Sequence, residues 1–407
     1  MINPNTLNFL LKGSCPRLLV VFNKADLMKD PKELAKKKKQ IKLKLANMEF
    51  SSLAFCQVSA LTGEGINESL LPNLKDMTKL TNMSLTEGED FVMNADHCFQ
   101  VKGKGTVVTG TVLSGILKLN DTIDVPEINA KNQTVKGIQV FRKPVGQVSK
   151  GERCGLSIPS LNSEHFERGV ICKSASAIFA NSVVLPLNKI SHYSQSISSN
   201  ELFHVTVGHS TKTARVTIFS CKNDKFSLEN SFDYEEKDED DKTYYIYLDF
   251  ESTPILCFTN QLFIGSKLDL DENLSKNAST CRLVFHGKPL AINKLPKIYK
   301  TKRKQGQVDR LHDAETLIVK NMFKKETNLN LFMNMKVSLS TGEKGKIASA
   351  FGTSGKVKVA LEDDLEIETL CRLDVVGEKN DPVEVSLDFM YQVVPGDKNK
   401  RNILIQT

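Results

Sequence analysis

Short runs of β-branched and apolar residues alternate with turn residues between positions 89 and 173, and this alternation restricts the region to an all-β fold. Phe91–Val112 opens the region as a predicted hairpin, because Gly103 and Gly105 permit a tight reversal between two such runs. The later runs are Leu113–Leu119, Asp121–Val125, Gln133–Phe141, Gly155–Ile158 and Gly169–Cys172. Their spacing predicts a β-barrel over residues 85–175.

A different pattern precedes this barrel. Leu18–Phe22 is a continuous apolar run, typical of a parallel strand covered on both faces, and it ends in the polar segment Asn23–Asp26. A basic helix is predicted from residue 31 to about residue 48. A second predicted strand, Phe55–Val58, ends in Ser59–Leu61. Parallel strands joined by a helix predict part of an α/β domain.

The two segments that end these strands, N-K-A-D and S-A-L, resemble the guanine-reading elements of GTPases. The resemblance implies that the Asp26 carboxylate accepts hydrogen bonds from the guanine ring N–H and amino group, which adenine does not offer. It also implies that Asn23 ties the neighbouring loops together and that the Lys24 stem lies along the base. A backbone N–H near Ala60 would donate to the guanine O6. The alternative is a helix N-cap with Asp26 as the capping residue. The predicted guanine-binding set is Asn23, Lys24, Asp26, Ser59, Ala60 and Leu61.

The sequence lacks the pattern of a phosphate-binding half. It contains no G-x-x-x-x-G-K-[ST] segment, and its one D-x-x-G, Asp374–Gly377, lies far along the chain and is a chance match. Phosphate binding needs a Gly-rich loop at a helix N-terminus and ligands for magnesium. Residues 1–84 are therefore predicted to be the remnant of a P-loop GTPase α/β domain. Three explanations for the missing half stay open: a truncated isoform, an incomplete gene model, or a secondary loss of GTPase function. Whether this chain is an enzyme also stays open.

Asp96-His97-Cys98-Phe99, followed by G-T-V-V-T-G-T, resembles the second domain of eukaryotic selenocysteine-specific elongation factors, translational GTPases of the elongation factor Tu class. The resemblance implies that Asp96, His97 and Arg153 form a pocket for the selenocysteinyl group. A selenol is ionised at neutral pH, so a guanidinium and an imidazole suit it, while Asp96 suits the α-amino group. The alternative is that Arg153 is a surface turn charge and His97 an ordinary barrel histidine.

A second β-barrel is predicted over residues 176–295. Glu201–Ser210 and Cys281–Gly287 resemble the third domain of the same family, which faces the tRNA. His204 and His209 are predicted to be core or surface residues and not metal ligands. The acidic run Ser231–Asp240 is predicted to be a solvated loop insertion, because like charges at this density rarely fold.

Residues 296–407 are predicted to form a third, small β-barrel, since Asn321–Asn328, Val337–Gly345 and Ser349–Lys358 alternate apolar and polar residues around glycine turns. These stretches resemble the domain that is peculiar to selenocysteine-specific factors. Lys297–Lys304 ahead of them is predicted to be a basic linker, either a solvated hinge or a nuclear-localisation-like run. A basic face suited to RNA is expected here. Its candidate residues are Lys297, Lys300, Lys302, Arg303, Lys304, Lys324, Lys325, Lys344, Lys346, Lys356 and Lys358.

Charge and cysteine usage fit a cytoplasmic protein with an RNA partner, and nuclear shuttling is compatible with its basic run. The protein is expected to be a monomer. Lys plus Arg outnumber Asp plus Glu by 55 to 48, and the formal net charge of +7 favours a polyanionic partner. The nine cysteines are scattered without zinc-finger spacing, which predicts reduced thiols and no metal site. No apolar run approaches the length of a membrane span, so no membrane partner is expected.

The resemblance implies a multidomain α/β plus β protein that delivers selenocysteinyl-tRNA to the ribosome at recoded UGA codons. The family's cofactors are GTP and magnesium, which this chain alone is not expected to bind well. A further implied partner is a protein bound to the selenocysteine insertion element of the mRNA. Two alternatives stay open: a non-catalytic module that binds tRNA or mRNA-protein partners, and a generic aminoacyl-tRNA GTPase. The residues of the last domain disfavour the second alternative, whereas the absent phosphate loop leaves the first open.

Overall fold

The computed structural model describes most of the predicted barrels and part of the α/β region. The described residues are 17–28, 30–45, 52–78, 90–103, 105–173, 177–190, 193–221, 226–239, 242–251, 253–268, 281–313, 315–352, 354–362, 383–395 and 404–405. The chance D-x-x-G match at 374–377 lies outside them. Within these ranges, no helix has both the length and the apolar character that crossing a bilayer would require.

The α/β region contains two parallel strands and two helices among its described residues. Strands β1 (Arg17–Phe22) and β2 (Ser52–Gln57) pair in register, and helix α1 (Pro31–Leu45) connects them. A π-helical turn, Ile66–Leu70, leads directly into α2 (Leu71–Thr78). The predicted strands and basic helix are therefore confirmed, and the residues just beyond Leu45 lie outside the described ranges.

The first barrel begins with the predicted hairpin, whose strands β3 and β4 pair from Val92 to Ser114. The predicted run Gln133–Phe141 is interrupted, so it contributes to two strands. Phe91, Met93, Leu117 and Leu156 are among the buried side chains of its core. The strands are β3 (Val92–Val101), β4 (Gly105–Ser114), β5 (Ile116–Lys118), β6 (Thr122–Val125), β7 (Ala130–Thr134), β8 (Gly137–Val140), β9 (Lys143–Pro144), β10 (Gln147–Ser149), β11 (Arg153–Ser157) and β12 (Gly169–Cys172). Eight of them form one sheet in the order β7-β6-β12-β3-β4-β11-β8-β9, and β5 pairs with β10.

The second barrel has a separate core that includes Phe203, Phe263 and Phe285. A smaller apolar cluster, in which Val92 and Cys172 of the first barrel are grouped with Leu256, joins the two barrels. Its strands are β13 (Ile178–Ala180), β14 (Ser182–Pro186), β15 (Asn188–Lys189), β16 (Leu202–Val207), β17 (Ser210–Ser220), β18 (Ser231–Glu235), β19 (Tyr244–Asp249), β20 (Ile255–Cys257), β21 (Phe263–Ser266), β22 (Leu283–Gly287) and β23 (Ala291–Ile292).

The appended barrel is a closed ring of six strands, which confirms the predicted small β-barrel. Its strands are β24 (Lys297–Asp313), β25 (Thr316–Lys320), β26 (Lys336–Leu339), β27 (Lys344–Phe351), β28 (Lys356–Leu361), β29 (Glu384–Val393) and β30 (Leu404–Ile405). Pairing runs β24-β25-β28-β27-β26-β29 and returns to β24, while β30 adds to β29. The predicted stretch Asn321–Asn328 forms no strand: it is a loop that leads into the short 3-10 helix Leu329–Phe332.

Two sequence predictions fail at the junction between the second and the appended barrels. The acidic run Ser231–Asp240 is not a solvated loop over its first five residues, because these form β18, which pairs with β17 and runs parallel to β24. Residues 236–239 form no regular strand, as the prediction expected. The basic segment Lys297–Lys304 is not a linker, because it is the first half of β24 and pairs with β29 along its length. Both errors arise because the pairing of β18 with β24 is non-local: it buries Phe232 and Ile298 in one cluster, which the local charge pattern does not show. At the surface of this junction, Lys300 forms an ion pair with Glu236 (Nζ to Oε1, 2.5 Å).

Aromatic packing stabilises this junction. Phe232 of β18 is 1% exposed and lies against Phe219 and Phe226, with ring centroids 4.9 and 5.4 Å away. Ile298 of β24 is fully buried in the same cluster. The second and appended barrels are therefore joined by a packed core and a continuous sheet.

The buried position of Phe232 yields a stability prediction. Phe232→Ala removes a fully packed ring, so we expect it to lower the free energy of unfolding by about 3–5 kcal/mol. Phe141→Ala is the matched control, since Phe141 is 89% exposed and its loss should change stability by less than about 0.5 kcal/mol. Urea denaturation followed by tyrosine fluorescence measures both, because the chain has no tryptophan. Equal midpoints for the two variants would restore the solvated-loop interpretation.

Candidate functional site

The loops that follow β1 and β2 lie side by side. The Val58 N–H donates to the Phe22 carbonyl (2.9 Å), and the Ala25 N–H donates to the Val58 carbonyl (3.0 Å). These bonds continue the parallel pairing beyond the strand ends, so the two polar segments that were predicted to read guanine meet at one edge of the sheet.

Side chains from the two segments connect them further. Asn23 Oδ1 accepts hydrogen bonds from the backbone N–H groups of Ala60 (3.1 Å) and Lys24 (2.8 Å). The fully buried Ser59 donates its hydroxyl to Asp26 Oδ1 at 2.5 Å. Asn23 thus connects the two loops by hydrogen bonds, as predicted. Asp26 makes no N-cap hydrogen bond in this turn. Binding of guanine by this set stays a prediction.

The predicted donor to the guanine O6 is a backbone N–H near Ala60. The Ala60 N–H itself is bonded to Asn23, whereas no acceptor among the described residues pairs with the Leu61 N–H, which makes Leu61 the candidate donor. The loop closes tightly behind it at Gly65, where φ is +74° and a Cβ would lie 2.2 Å from the Gln57 carbonyl oxygen. The described residues therefore fit the base of a guanine nucleotide. The sequence supplies no G-x-x-x-x-G-K-[ST] loop for its phosphates.

The predicted aminoacyl pocket is built around β4, which pairs with β3 on one side and β11 on the other. On β3 the register passes from Ala95↔Gly110 to His97↔Thr109, so Asp96 is the extra residue of a β-bulge. Such a bulge redirects a side chain at the edge of a site. On the opposite side Arg153 is paired with Thr111. Asp96 and Arg153 thereby converge over β4.

Asp96 is held by two donors. Arg153 Nη1 donates to Asp96 Oδ2 at 2.5 Å, and the Thr109 hydroxyl donates to Asp96 Oδ1 at 2.8 Å. The hydrogen bond from Arg153 is the largest cause that lowers the pKa of Asp96, and Thr109, the Arg153 charge and His97 add to it. The pKa of Arg153 is raised mainly by the same bond. The site therefore holds a carboxylate and a guanidinium in fixed register, with the exposed His97 beside them.

The ion pair between Asp96 and Arg153 was not predicted from the sequence. The prediction gave Asp96 the α-amino group and Arg153 the selenolate as separate partners. In the structure they are partners of each other, and their side chains are 30% and 54% exposed. An ion pair at this exposure stabilises a protein little. A ligand with one positive and one negative group can replace it charge for charge. Sequence reasoning missed Thr109, although counting the register back from the Gly103 turn places it opposite His97.

The basic candidates of the last domain fall into two groups. Lys300, Arg303 and Lys356 are ion-paired: Lys300 with Glu236, Arg303 through two 2.7 Å bonds with Asp388, and Lys356 with Asp309 at 2.7 Å. Lys346 is likewise paired with Glu362, and Lys358 contacts His312. Lys302, Lys304 and Lys324 have no acidic partner among the described residues, and Lys297 and Lys325 are exposed. The structure does not form one continuous basic face from all of them.

Models of known protein families match the three barrels in order. Residues 105–172 match elongation factor Tu domain 2, and residues 184–287 match the third domain of the eukaryotic selenocysteine-specific elongation factor. Residues 294–393 match the C-terminal RIFT domain of the eukaryotic selenocysteine-specific factor. The barrels and their order therefore define a translation elongation factor of the elongation factor Tu class.

Similarity over most of the chain identifies the family within this class. The selenocysteine-specific elongation factor of Mus musculus is 33% identical over 414 residues, which cover 88% of this chain and 70% of the mouse protein. That of Methanocaldococcus jannaschii is 29% identical over 213 residues, covering 51% of this chain and 45% of the archaeal protein. The chain belongs to the selenocysteine-specific elongation factor family.

Solved structures show the same fold. The apo form of translation elongation factor SelB from Methanococcus maripaludis superposes with a TM-score of 0.68 at 20% identity, covering 96% of this chain and 80% of that one. Its complex with the GTP analogue GppNHp gives a TM-score of 0.63 at 20% identity, covering 91% and 77%. The predicted α/β plus β-barrel fold is therefore confirmed.

Proposed function

We propose that this chain carries selenocysteinyl-tRNA to the ribosome at recoded UGA codons and that the Asp96–Arg153 pair is its amino-acid pocket. The observation that supports this most is the bulge at Asp96, which places a carboxylate within hydrogen-bond distance of a guanidinium from a strand far along the chain. Selenocysteine esterified to tRNA carries an amino group and a selenolate, so it offers one partner for each member of the pair.

On binding, Asp96 and Arg153 would exchange their mutual ion pair for contacts to the aminoacyl group. Asp96, held in place by Thr109, takes the α-amino group, and Arg153 turns from Asp96 to the selenolate with His97 nearby. A seryl ester has no such anion. A cysteinyl thiol is mostly neutral at pH 7, because its ordinary pKa is about 8.5. Selection is therefore electrostatic and depends on the guanidinium.

The nucleotide and the remaining partners complete the proposal. Asp26 and the loop at Ser59–Leu61 would hold the guanine base, and the bound nucleotide would supply the family's switch between tRNA-binding and tRNA-releasing states. Magnesium, the ribosome and a protein bound at the selenocysteine insertion element of the mRNA are the other proposed partners. A second candidate, a non-catalytic tRNA-binding module, is favoured by one observation: the sequence has the base-reading segments without a G-x-x-x-x-G-K-[ST] loop.

This observation yields a prediction for nucleotide binding. We expect this chain to bind GDP more weakly than micromolar, because most nucleotide affinity in P-loop proteins comes from contacts to phosphates and magnesium. Isothermal calorimetry with GDP and magnesium measures it, with Asp26→Ala as the control for base-specific heat. Micromolar or tighter binding that Asp26→Ala abolishes would show that the base-reading half suffices or that phosphates are held elsewhere.

The pocket predicts a change in discrimination. Arg153→Ala removes a charge-assisted contact worth about 1.5–3 kcal/mol, so the preference for selenocysteinyl- over seryl-tRNA should fall by about ten- to a hundredfold. Binding of seryl-tRNA should hardly change. Asp96→Ala should weaken both forms together, because the amino group is common to them. Affinities are measured in a chimera that carries an intact phosphate-binding segment ahead of Leu18.

Arg303→Ala is the matched control, since Arg303 is also an exposed, ion-paired arginine but lies in the appended barrel. It should leave the ratio of the two affinities unchanged. If Arg153→Ala also leaves that ratio unchanged, Arg153 is a turn charge and the pocket assignment is wrong.

A further inference from the structure

A cleft in the appended barrel lies apart from both sites described above. It has a volume of about 250 Å³ and lies between β24, β29 and the segment of residues 327–332. Lys302 and Lys304 line one side, and Leu331, Phe332 and Tyr391 contribute apolar surface. No carboxylate is among its lining residues. A cleft of this size suits one small planar group better than a large ligand.

Like charges are crowded at this cleft. Lys302 and Lys304 alternate with Arg303 along β24, so they project on the face opposite to Arg303 and its partner Asp388. Burial lowers the pKa of Lys304, and the charges of Lys302 and Lys324 lower it further. Lys304 has no acidic partner in the described part of the chain, and its ammonium reaches only the Met322 carbonyl, at 3.5 Å. Positive charge gathered in this way is unfavourable until an anion binds.

The wall beside the lysines is aromatic. The Lys304 ammonium lies 4.8 Å from the ring centroid of Phe323 and 5.8 Å from that of Phe332. Both rings belong to the barrel core, so they fix the position of the ammonium. Leu331 is 55% exposed at the rim, and Tyr391 is half-buried. The cleft therefore offers a cationic side and an apolar side a few ångströms apart.

We propose that this cleft binds one nucleotide of single-stranded RNA, with its phosphate at Lys302 and Lys304 and its base against Leu331 and Tyr391. Stacked bases on aromatic side chains next to a cationic groove are the usual way to hold single-stranded RNA. A phosphopeptide is the less favoured occupant, because such sites use clustered arginines in bidentate contact, and the arginine here faces away. The assignment deepens the proposed function and rests on it for the choice of RNA as the ligand.

The test uses the full chain and a fluorescein-labelled, twelve-nucleotide oligouridine, which has no secondary structure. The double variant Lys302→Gln, Lys304→Gln should raise Kd about tenfold, as expected for a lost charged contact. It should also reduce the slope of log affinity against log salt by about 0.7, since the cleft holds one phosphate and each phosphate contact to a single strand contributes roughly 0.7. Arg303→Gln and Lys356→Gln are the matched controls, and neither should change the slope.

Tyr391→Leu separates stacking from charge. It should raise Kd about tenfold and leave the salt slope unchanged, because a stacked base is lost while the phosphate contacts remain. Unchanged binding in both cleft variants would overturn the proposal. So would a phosphoserine peptide that competes with oligouridine and depends on the lysines but not on Tyr391. Neither result involves Arg153 or aminoacyl-tRNA, so failure here is distinguishable from failure of the proposed function.

Discussion

Pairing of β4 on both of its edges is the constraint on which the proposed amino-acid pocket depends. It brings Asp96 and Arg153, 57 residues apart in the chain, within hydrogen-bond distance. A register slip of one residue on either side would send the side chain to the opposite face of the sheet. The bulge at Asp96 fixes the register and directs the carboxylate toward Arg153, while the Thr109 hydroxyl holds its second oxygen. The proposed selection of the selenocysteinyl group thus depends on the register in which β3 and β11 pair with β4.

The 17-residue strand β24 is a second constraint, because it contributes to both the second barrel and the appended barrel. Its first residues run beside β18 of the second barrel, and its length closes the ring of the appended barrel. Ile298 is buried between them. The second and appended barrels are therefore connected by sheet and core, and a ligand held in the cleft at Lys304 would be carried on the same sheet as the second barrel.

Local sequence patterns predicted most of the strands and the hairpin. The predictions that failed concern segments whose structure depends on pairing with residues far away in the chain. The strand end at Phe22, the end of β2 to within one residue of the predicted Val58, and the hairpin at Gly103 were predictable, because periodicity and turn residues act over a few positions. The acidic run at Phe232 was not, since its burial depends on aromatic partners elsewhere in the chain. The same holds for the site. Motif resemblance gave Asp96 and Arg153 as pocket residues, but their mutual ion pair follows from the pairing of β4 with two strands, which sequence spacing does not show.

Whether Arg153 selects a selenolate is tested by the pH dependence of tRNA discrimination, measured in the chimera with an intact phosphate-binding segment. If Arg153 selects a selenolate, the ratio of selenocysteinyl- to seryl-tRNA affinity should be high at neutral pH and fall as the selenol is protonated in acid. The series is also run on His97→Gln, which lacks the imidazole beside the pair, and the fall should persist. A ratio that stays constant across this range in both proteins would contradict an electrostatic pocket at Asp96 and Arg153.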